Sequence, residues 1–319
     1  MKNRKYILPE EGRFYKANLH SHTTLSDGHL TPEESKAAYQ ARGYQIMAFT
    51  DHRVYRDHSS LNDRDFLTIP AVEVDINEDC PERMSPTDRT YHINLFDTKP
   101  EYKKEEKEKG ICPECRYGDM EYINNYIREM NEMGFLVCYN HPYWSMQTLD
   151  DFRGLEGLFA MEIFNYGCEH DGMYGYNPQA YDEMLRLGKR IFCLATDDNH
   201  NSVPLDHPFS DSFGGFTMIK ATELTLEAVM DALKKGNFYS SMGPEIREMY
   251  IEDDELVVRT GPVRRIYVVT AGRDCLRKAA APGEVLQEAR FPLSGREGYI
   301  RVRIEDGQGK YADSNAYFL

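Results

Sequence analysis

The chain has 319 residues, 41% hydrophobic and 29% charged, with a mean hydropathy of -0.64, which suits a soluble globular protein and excludes a disordered or membrane-embedded one. A formal net charge of -15 and a pI of about 5.2 argue against unfocused attraction to nucleic acid or an anionic bilayer. No apolar run approaches a bilayer span and the start, Met1-Lys2-Asn3-Arg4-Lys5, never becomes a signal-peptide core, so a cytoplasmic protein is expected.

In chain order, Asn18-Leu19-His20-Ser21-His22 reads as the end of a short strand, and Ser26-Asp27-Gly28 as the loop leaving it. The side-chain period of a strand is two, so His20 and His22 face one side and can converge on a small volume. Asp27 can add an oxygen ligand there. An exposed polar loop with two unrelated histidines is the competing reading at this point. Thr31-Pro32-Glu33-Glu34 is a capping-box start for a helix toward Arg42-Gly43. Tyr44 to Thr50 then reads as a buried strand delivering Asp51-His52-Arg53, the beginning of a parallel β/α layout. Phe66 to Asp75 repeats the pattern with Glu73 inside an apolar strand, where a carboxylate needs a partner or a cation.

From about 77 to 117 the organisation loosens into a charged insertion, either a lid or a surface excursion, whose ordered section is the strand Tyr91 to Phe96 carrying His92. Among 7 cysteines, Cys112-Pro113-Glu114-Cys115 stands out as half of a zinc knuckle, a redox pair or a plain surface loop, with Cys80 its nearest upstream thiol. The remaining thiols read as reduced and mostly buried. Asp119 caps a helix whose Tyr122, Ile123, Tyr126, Ile127 and Met130 share one side. Phe135 to Pro142 is a strand delivering Asn140-His141, Leu158 to Asn165 another, and Asn177-Pro178 begins a helix ending at Gly188. Arg190 to Ala195 delivers Thr196-Asp197-Asp198-Asn199-His200, and Phe216 to Ile219 precedes a last helix ending near Gly236. Beyond it the pattern turns to short strands, including a hairpin across Asp253-Asp254-Glu255. The expected organisation is a barrel over 1–236, with the 77–117 insertion, and a small antiparallel β domain over 237–319.

His20, His22, His52, Glu73, His92, His141, Asp198 and His200 thus stand at successive strand ends, which converge at one face of a β/α barrel. With Asn18-Leu19-His20-Ser21-His22, Ser26-Asp27-Gly28, Thr50-Asp51-His52, Ala71-Val72-Glu73, Asn140-His141-Pro142 and Thr196 to His200 in this order, residues 15 to 235 resemble the polymerase and histidinol phosphatase (PHP) superfamily. The C-terminal tail resembles, more weakly, the β extension of a metal-dependent hydrolase branch. The resemblance implies a distorted seven-stranded β/α barrel with two or three divalent metals (manganese, iron or zinc). One metal would be held by His20, His22, Glu73 and Asp198. A second would use Glu73 as a bridge with His92 and His141, and a third Asp27, His52 and His200.

Adjacent aspartates leave Asp197 as a competitor for the ligand position, although the Asp-x-His spacing favours Asp198. Asp51 would brace its loop or orient an imidazole. The implied activity is hydrolysis of a small phosphorylated metabolite or nucleotide by cation-activated water, with Glu73, Asp198 and His200 at the reacting centre. A metal-bound His200 could not also donate the leaving-group proton. Arg53, His170, His207 and Lys220 are candidate phosphate or leaving-group contacts, and surface ion pairs or loop contacts are the competing reading for each. Hydrolysis of an amide or ester, or a noncatalytic metal-binding role, are the alternatives. The sequence leaves oligomeric state and substrate open, and shows no evident nucleic-acid surface.

Overall fold

The computed structural model describes residues 4–79 and 85–319; Cys80, and with it one corner of the 77–117 insertion, lies outside the described residues. The architecture is mixed α/β, with a 14-stranded sheet and a separate 4-stranded antiparallel one. Around the future site, Arg13–Asn18, Ile46–Phe49 and Leu67–Asn77 run parallel. The strand Thr90–Asp97 then reverses direction against both Leu67–Asn77 and Phe135–Tyr139, before Ala160–Asn165 and Phe192–Thr196 resume parallel pairing. On the other flank Phe216–Ala221 is antiparallel to Arg13–Asn18.

The expected parallel layout is therefore interrupted twice. Among the described residues no helix stands between Leu67–Asn77 and Thr90–Asp97, and a connection without a crossover helix returns antiparallel. This part of the insertion is no surface excursion, because all of Thr90–Asp97 is buried. Its follow-on helix Lys104–Lys109 is pinned by Lys107, whose fully buried ammonium lies 2.7 Å from the Asp97 carboxylate.

Among the described residues no backbone ladder joins Phe192–Thr196 to Phe216–Ala221, so the ring is not closed by strand pairing. Side chains stitch the seam instead. The Thr217 hydroxyl accepts from Ala195 N–H at 3.2 Å and donates to Ala195 C=O at 2.9 Å. Ser240 donates to Cys193 C=O at 2.7 Å, and Asn315 Oδ1 accepts from Cys193 N–H at 2.9 Å. Buried backbone groups need partners, and here the strands beyond the seam supply them.

Helix boundaries follow their caps. Thr31 and Glu34 exchange capping-box bonds at the start of Pro32–Gln40, Asp119 accepts from Tyr122 N–H at 3.0 Å, and Gly236 closes Leu226–Lys235 in the left-handed region. The helix Met120–Glu132 buries Ile123, Tyr126, Ile127 and Met130 against the sheet. The C-terminal strands form the expected hairpin, Ile246–Glu252 with Glu255–Val263. Asp253 and Asp254 both have positive φ, 50° and 61°, as a two-residue turn of primed type needs. The strand Arg4–Tyr6 adds to this C-terminal sheet rather than to the 14-stranded one. Among the described residues no helix is long and apolar enough to cross a membrane.

Candidate metal centre

Four side chains meet around one point: His20 and His22 just past Arg13–Asn18, Asp198 just past Phe192–Thr196, and Glu73 inside Leu67–Asn77. His20 Nε2 and His22 Nε2 are 3.2 Å apart, and each is 3.1 Å from Asp198 Oδ1. Glu73 completes the group, with Oε1 3.2 Å from His20 Nε2 and Oε2 3.3 Å from His22 Nε2. Ligands about 2.0–2.3 Å from one cation stand about 3–3.5 Å from each other, so this spacing matches a coordination shell. Two ring nitrogens 3.2 Å apart can share one proton or face a common cation.

The loop geometry that allows this is specific. Gly28 packs on the backbone of His22, where an added Cβ would lie 2.4 Å from His22 C and O. Asp198 sits at φ 53°, a conformation seldom adopted by residues other than glycine and found at functional sites. Asp51 stays outside the centre: its carboxylate accepts from Thr23 N–H at 2.7 Å and Ser26 Oγ at 2.9 Å, bracing the loop. Asp197 is likewise occupied. It accepts from Tyr39 Oη and from the N–H groups of Phe213, Gly214 and Gly215, and burial among them still pushes it up to about 7. Asp198 is thus the aspartate that faces the histidines.

Two further groupings adjoin the first. His92 Nδ1 is 3.1 Å from Glu73 Oε1, and His141 Nε2 is 3.7 Å from Glu73 Oε1 and 3.6 Å from Asp198 Oδ2. On the opposite side, Asp27 lies 3.5 Å from His200 Nε2, 3.7 Å from His52 Nε2 and 3.6 Å from His22 Nδ1. His22 therefore turns one nitrogen to each neighbouring group, a role the His-x-His spacing did not reveal. The centre opens into a cavity of about 710 Å³ lined in part by Asp27, His52, Glu73, His92, His141, Asp198 and His200, with His20 and His22 fully buried behind them.

Electrostatics show what the centre lacks. Burial opposes charge on His20, His22 and His92, yet Asp198 and Glu73 outweigh it and raise all three. His200 is pushed up to about 9, Asp27 overcoming burial, whereas His52 is lowered to about 4 by burial and by neighbouring imidazoles. Burial opposes ionisation of Glu73 and Asp198, but the histidines hold both well below the usual carboxylate range. Protons on imidazoles balance these carboxylates, and a divalent cation would displace them. Buried Glu73 Oε2, Asp198 Oδ1 and His22 Nδ1 have no hydrogen-bond partner, so the donor set fits one cation at the two carboxylate oxygens and another on the Nδ1 side of His22. Several His/Asp/Glu clusters here can hold divalent metal ions.

Beneath the ligands lies a support that sequence reading missed. Glu162, fully buried, accepts from His20 Nδ1 at 2.7 Å and Thr196 Oγ1 at 2.6 Å on one oxygen, and from His141 N–H at 3.1 Å and Asn165 Nδ2 at 2.9 Å on the other. It thereby makes Nδ1 the protonated nitrogen of His20 and leaves Nε2 free to coordinate. The available signal was a glutamate inside an apolar strand, the same one that singled out Glu73. Asn140 donates to Glu73 Oε1 at 2.8 Å, and Trp144 packs 5.1 Å from the His141 ring.

The four predicted substrate contacts separate. His170 lines the cavity, stacked edge-on to Tyr166. Arg53 is tied to Asp75 by two bonds of 2.7 and 2.8 Å. His207 accepts from Phe209 N–H in an exposed loop and does not line the cavity. Lys220 lies elsewhere, over the Phe14 ring at 5.1 Å, beside a different cavity. The strand carrying Lys220 pairs it directly with Phe14, which turns its side chain away from the histidines. Cys112 is a free, exposed thiol.

No protein-family profile and no curated protein matches the sequence. Among solved structures, the chain is similar at TM-score 0.49 and 16% identity to a two-domain protein from Bacteroides vulgatus containing a predicted PHP-like metal-dependent phosphoesterase, covering 100% of this chain and 98% of that one. It is similar at TM-score 0.36 and 14% identity to an amidohydrolase from Chromobacterium violaceum, covering 58% of this chain and 87% of that one. At such identities and scores the functional reading rests on the side chains themselves.

Proposed function

We propose that the chain is a metal-dependent phosphoesterase of the PHP superfamily acting on a small phosphorylated metabolite or nucleotide. The observation that carries the reading is the set of buried, partnerless Glu73, Asp198 and His22 atoms inside a shell of donors spaced as ligands are. His20, His22, Glu73 and Asp198 would hold one cation, Glu73 with His92 and His141 a second, and Asp27, His52 and His200 a third, with His22 Nδ1 facing the last. Manganese, iron and zinc all suit imidazole and carboxylate donors. Bound there, the cations would polarise phosphoryl oxygens and activate water.

The chain's own groups do the rest. Glu73 and Asp198 place negative charge between the imidazoles, Glu162 sets the His20 tautomer, and the carbonyl of Asp198, 3.1 Å from His200 Nδ1, fixes that ring with Nε2 toward Asp27. His170 faces the volume left for the leaving group. Residues 1–236 would form the hydrolase unit and 237–319 a supporting β domain.

The test is to measure bound metal in the purified chain, then phosphate release from monoesters, diesters and nucleotides, beside amides and esters, after adding manganese, iron or zinc. Metal-dependent phosphate release that disappears in the His20→Ala/His22→Ala double variant is expected. Hydrolysis confined to amides or esters would overturn the phosphoesterase assignment, and absence of bound metal would overturn the metal reading.

A further inference from the structure

The strand Ala160–Asn165 delivers a thiol to the centre. Cys168 sits in the short helix Tyr166–His170, whose first turn is fixed by Asn165: its Oδ1 accepts from Cys168 N–H at 2.9 Å while its Nδ2 donates to Asp198 Oδ2 at 3.0 Å. The helix is pressed onto the Asp197-Asp198 turn. Gly167 N–H donates to Asp197 C=O at 2.8 Å, and a Cβ at Gly167 would come within 2.9 Å of Asp198 O. A glycine there lets the helix approach closely enough for its neighbour to reach the metal centre. Cys168 Sγ, a His141 ring nitrogen and an Asp198 carboxylate oxygen all lie within 4.8 Å of one another.

A buried cysteine is ordinarily a small apolar filler. Cys168 is buried, but it also lines the cavity between charged neighbours. The two neighbours of the thiol present ligand atoms to each other. Asp198, only 9% exposed, turns Oδ1 to His20 and His22 and leaves Oδ2 on the side of His141. His141 Nδ1 is engaged by Ser145 Oγ at 3.2 Å, which leaves Nε2 directed at Glu73 Oε1 and Asp198 Oδ2.

We propose that Cys168 is a thiolate ligand of the second cation, the one His141 would hold beside Asp198 Oδ2, and that it biases this position toward zinc or iron(II) over manganese or magnesium. The inference rests on the metal reading above and deepens it. Sulfur is a softer donor than carboxylate or imidazole and favours the later, softer cations. Coordination breaks the S–H bond, forms the S–metal bond and releases the proton to solvent, with no change of oxidation state.

The experiment uses the full chain, stripped with chelator under reducing conditions and reloaded with cobalt(II) as a spectroscopic stand-in for zinc. A sulfur-to-cobalt charge-transfer band in the near ultraviolet is expected. It should persist in Cys112→Ser, which removes an exposed thiol, and vanish in Cys168→Ser. Zinc affinity at one position should also fall at least about tenfold in Cys168→Ser, since losing even a hydrogen-bonded supporter of a ligand costs 10–100-fold. Cobalt bound by the wild-type chain without the band, or a band surviving in Cys168→Ser, overturns the proposal and leaves the metal reading standing. Failure of the wild-type chain to bind cobalt or zinc overturns both. Should Cys168→Ser not fold, the wild-type and Cys112→Ser spectra with Cys168→Ala decide the matter.

Discussion

Replacing Glu162 by glutamine changes one oxygen into an amide nitrogen and leaves the volume almost unaltered. Both oxygens of Glu162 accept from two donors, so neither orientation of the amide fits. If the new NH₂ faces His141 N–H and Asn165, two buried donors lose an acceptor. If it faces His20, the imidazole must take the other tautomer, with its proton on Nε2 pointing into the cation position. Loss of a carboxylate partner behind a ligating histidine typically lowers metal affinity 10–100-fold, or about 1.4–2.8 kcal/mol. Hydrogen bonds to charged groups are worth about 1.5–3 kcal/mol each, so some loss of fold stability should accompany it. The assay is chelator competition for zinc on metal-stripped Glu162→Gln, with circular dichroism to confirm folding. The expected result is a folded chain with zinc affinity down 10–100-fold at one site. Wild-type affinity and stoichiometry in the folded variant would show that His20 is not oriented by Glu162 as a ligand.

Lys107→Met leaves the Asp97 carboxylate buried without its counter-charge, and breaking a buried pair from one side costs about 3–5 kcal/mol, so the urea midpoint should drop sharply. Tyr176→Phe removes the 2.9 Å bond to Asp313, which is itself held by the fully buried Arg301 at 2.7 Å. It should cost about 1 kcal/mol and raise hydrogen exchange in 166–176, the segment that carries Cys168 and His170, with a higher KM and unchanged metal content. Lys220→Met should leave phosphate hydrolysis unaltered, and a loss of kcat/KM approaching tenfold, about 1.4 kcal/mol, would mean that Lys220 acts on the centre after all. Zinc at about 100 times its Kd should stabilise the stripped chain by about 2.7 kcal/mol, visible as a higher melting temperature that the His20→Ala/His22→Ala chain does not show.

The ligand-type residues were legible because their signals are local. A period of two puts His20 and His22 on one side, a carboxylate in an apolar strand marks Glu73, and Asp-x-His separates Asp198 from Asp197. What escaped depends on contacts remote in sequence. The reversal of Thr90–Asp97 shows only in its pairing with the strands on both sides, and its own residues would read the same in a parallel sheet. The seam at Phe192–Thr196 rests on Thr217, Ser240 and Asn315, polar side chains that in isolation resemble any surface hydroxyl or amide. Lys220 was misplaced because a cation near a strand end carries no label for the face it occupies. Cys168 read as one more buried thiol, since only the packing of Gly167 on the Asp198 turn brings it to the histidines.

The charge inventory of the cavity fixes an order of events for the anionic substrate proposed here. Among the described residues, its lining includes Asp27, Glu73, Asp75, Asp171, Asp198 and Asp211 and neither lysine nor arginine. Arg53, which bonds the lining residue Asp75, is spent on that carboxylate. Without cations this is a carboxylate-walled well that repels phosphate, and protons on the histidines only partly offset it. Two or three divalent cations invert the local field, as bound ions do when they are the largest charges in a site. Metal must therefore bind before substrate. A phosphate analogue should show no measurable binding to the stripped chain in a titration and saturable binding once zinc or manganese has been added. Equal affinity with and without metal would require a cationic subsite that these side chains do not form.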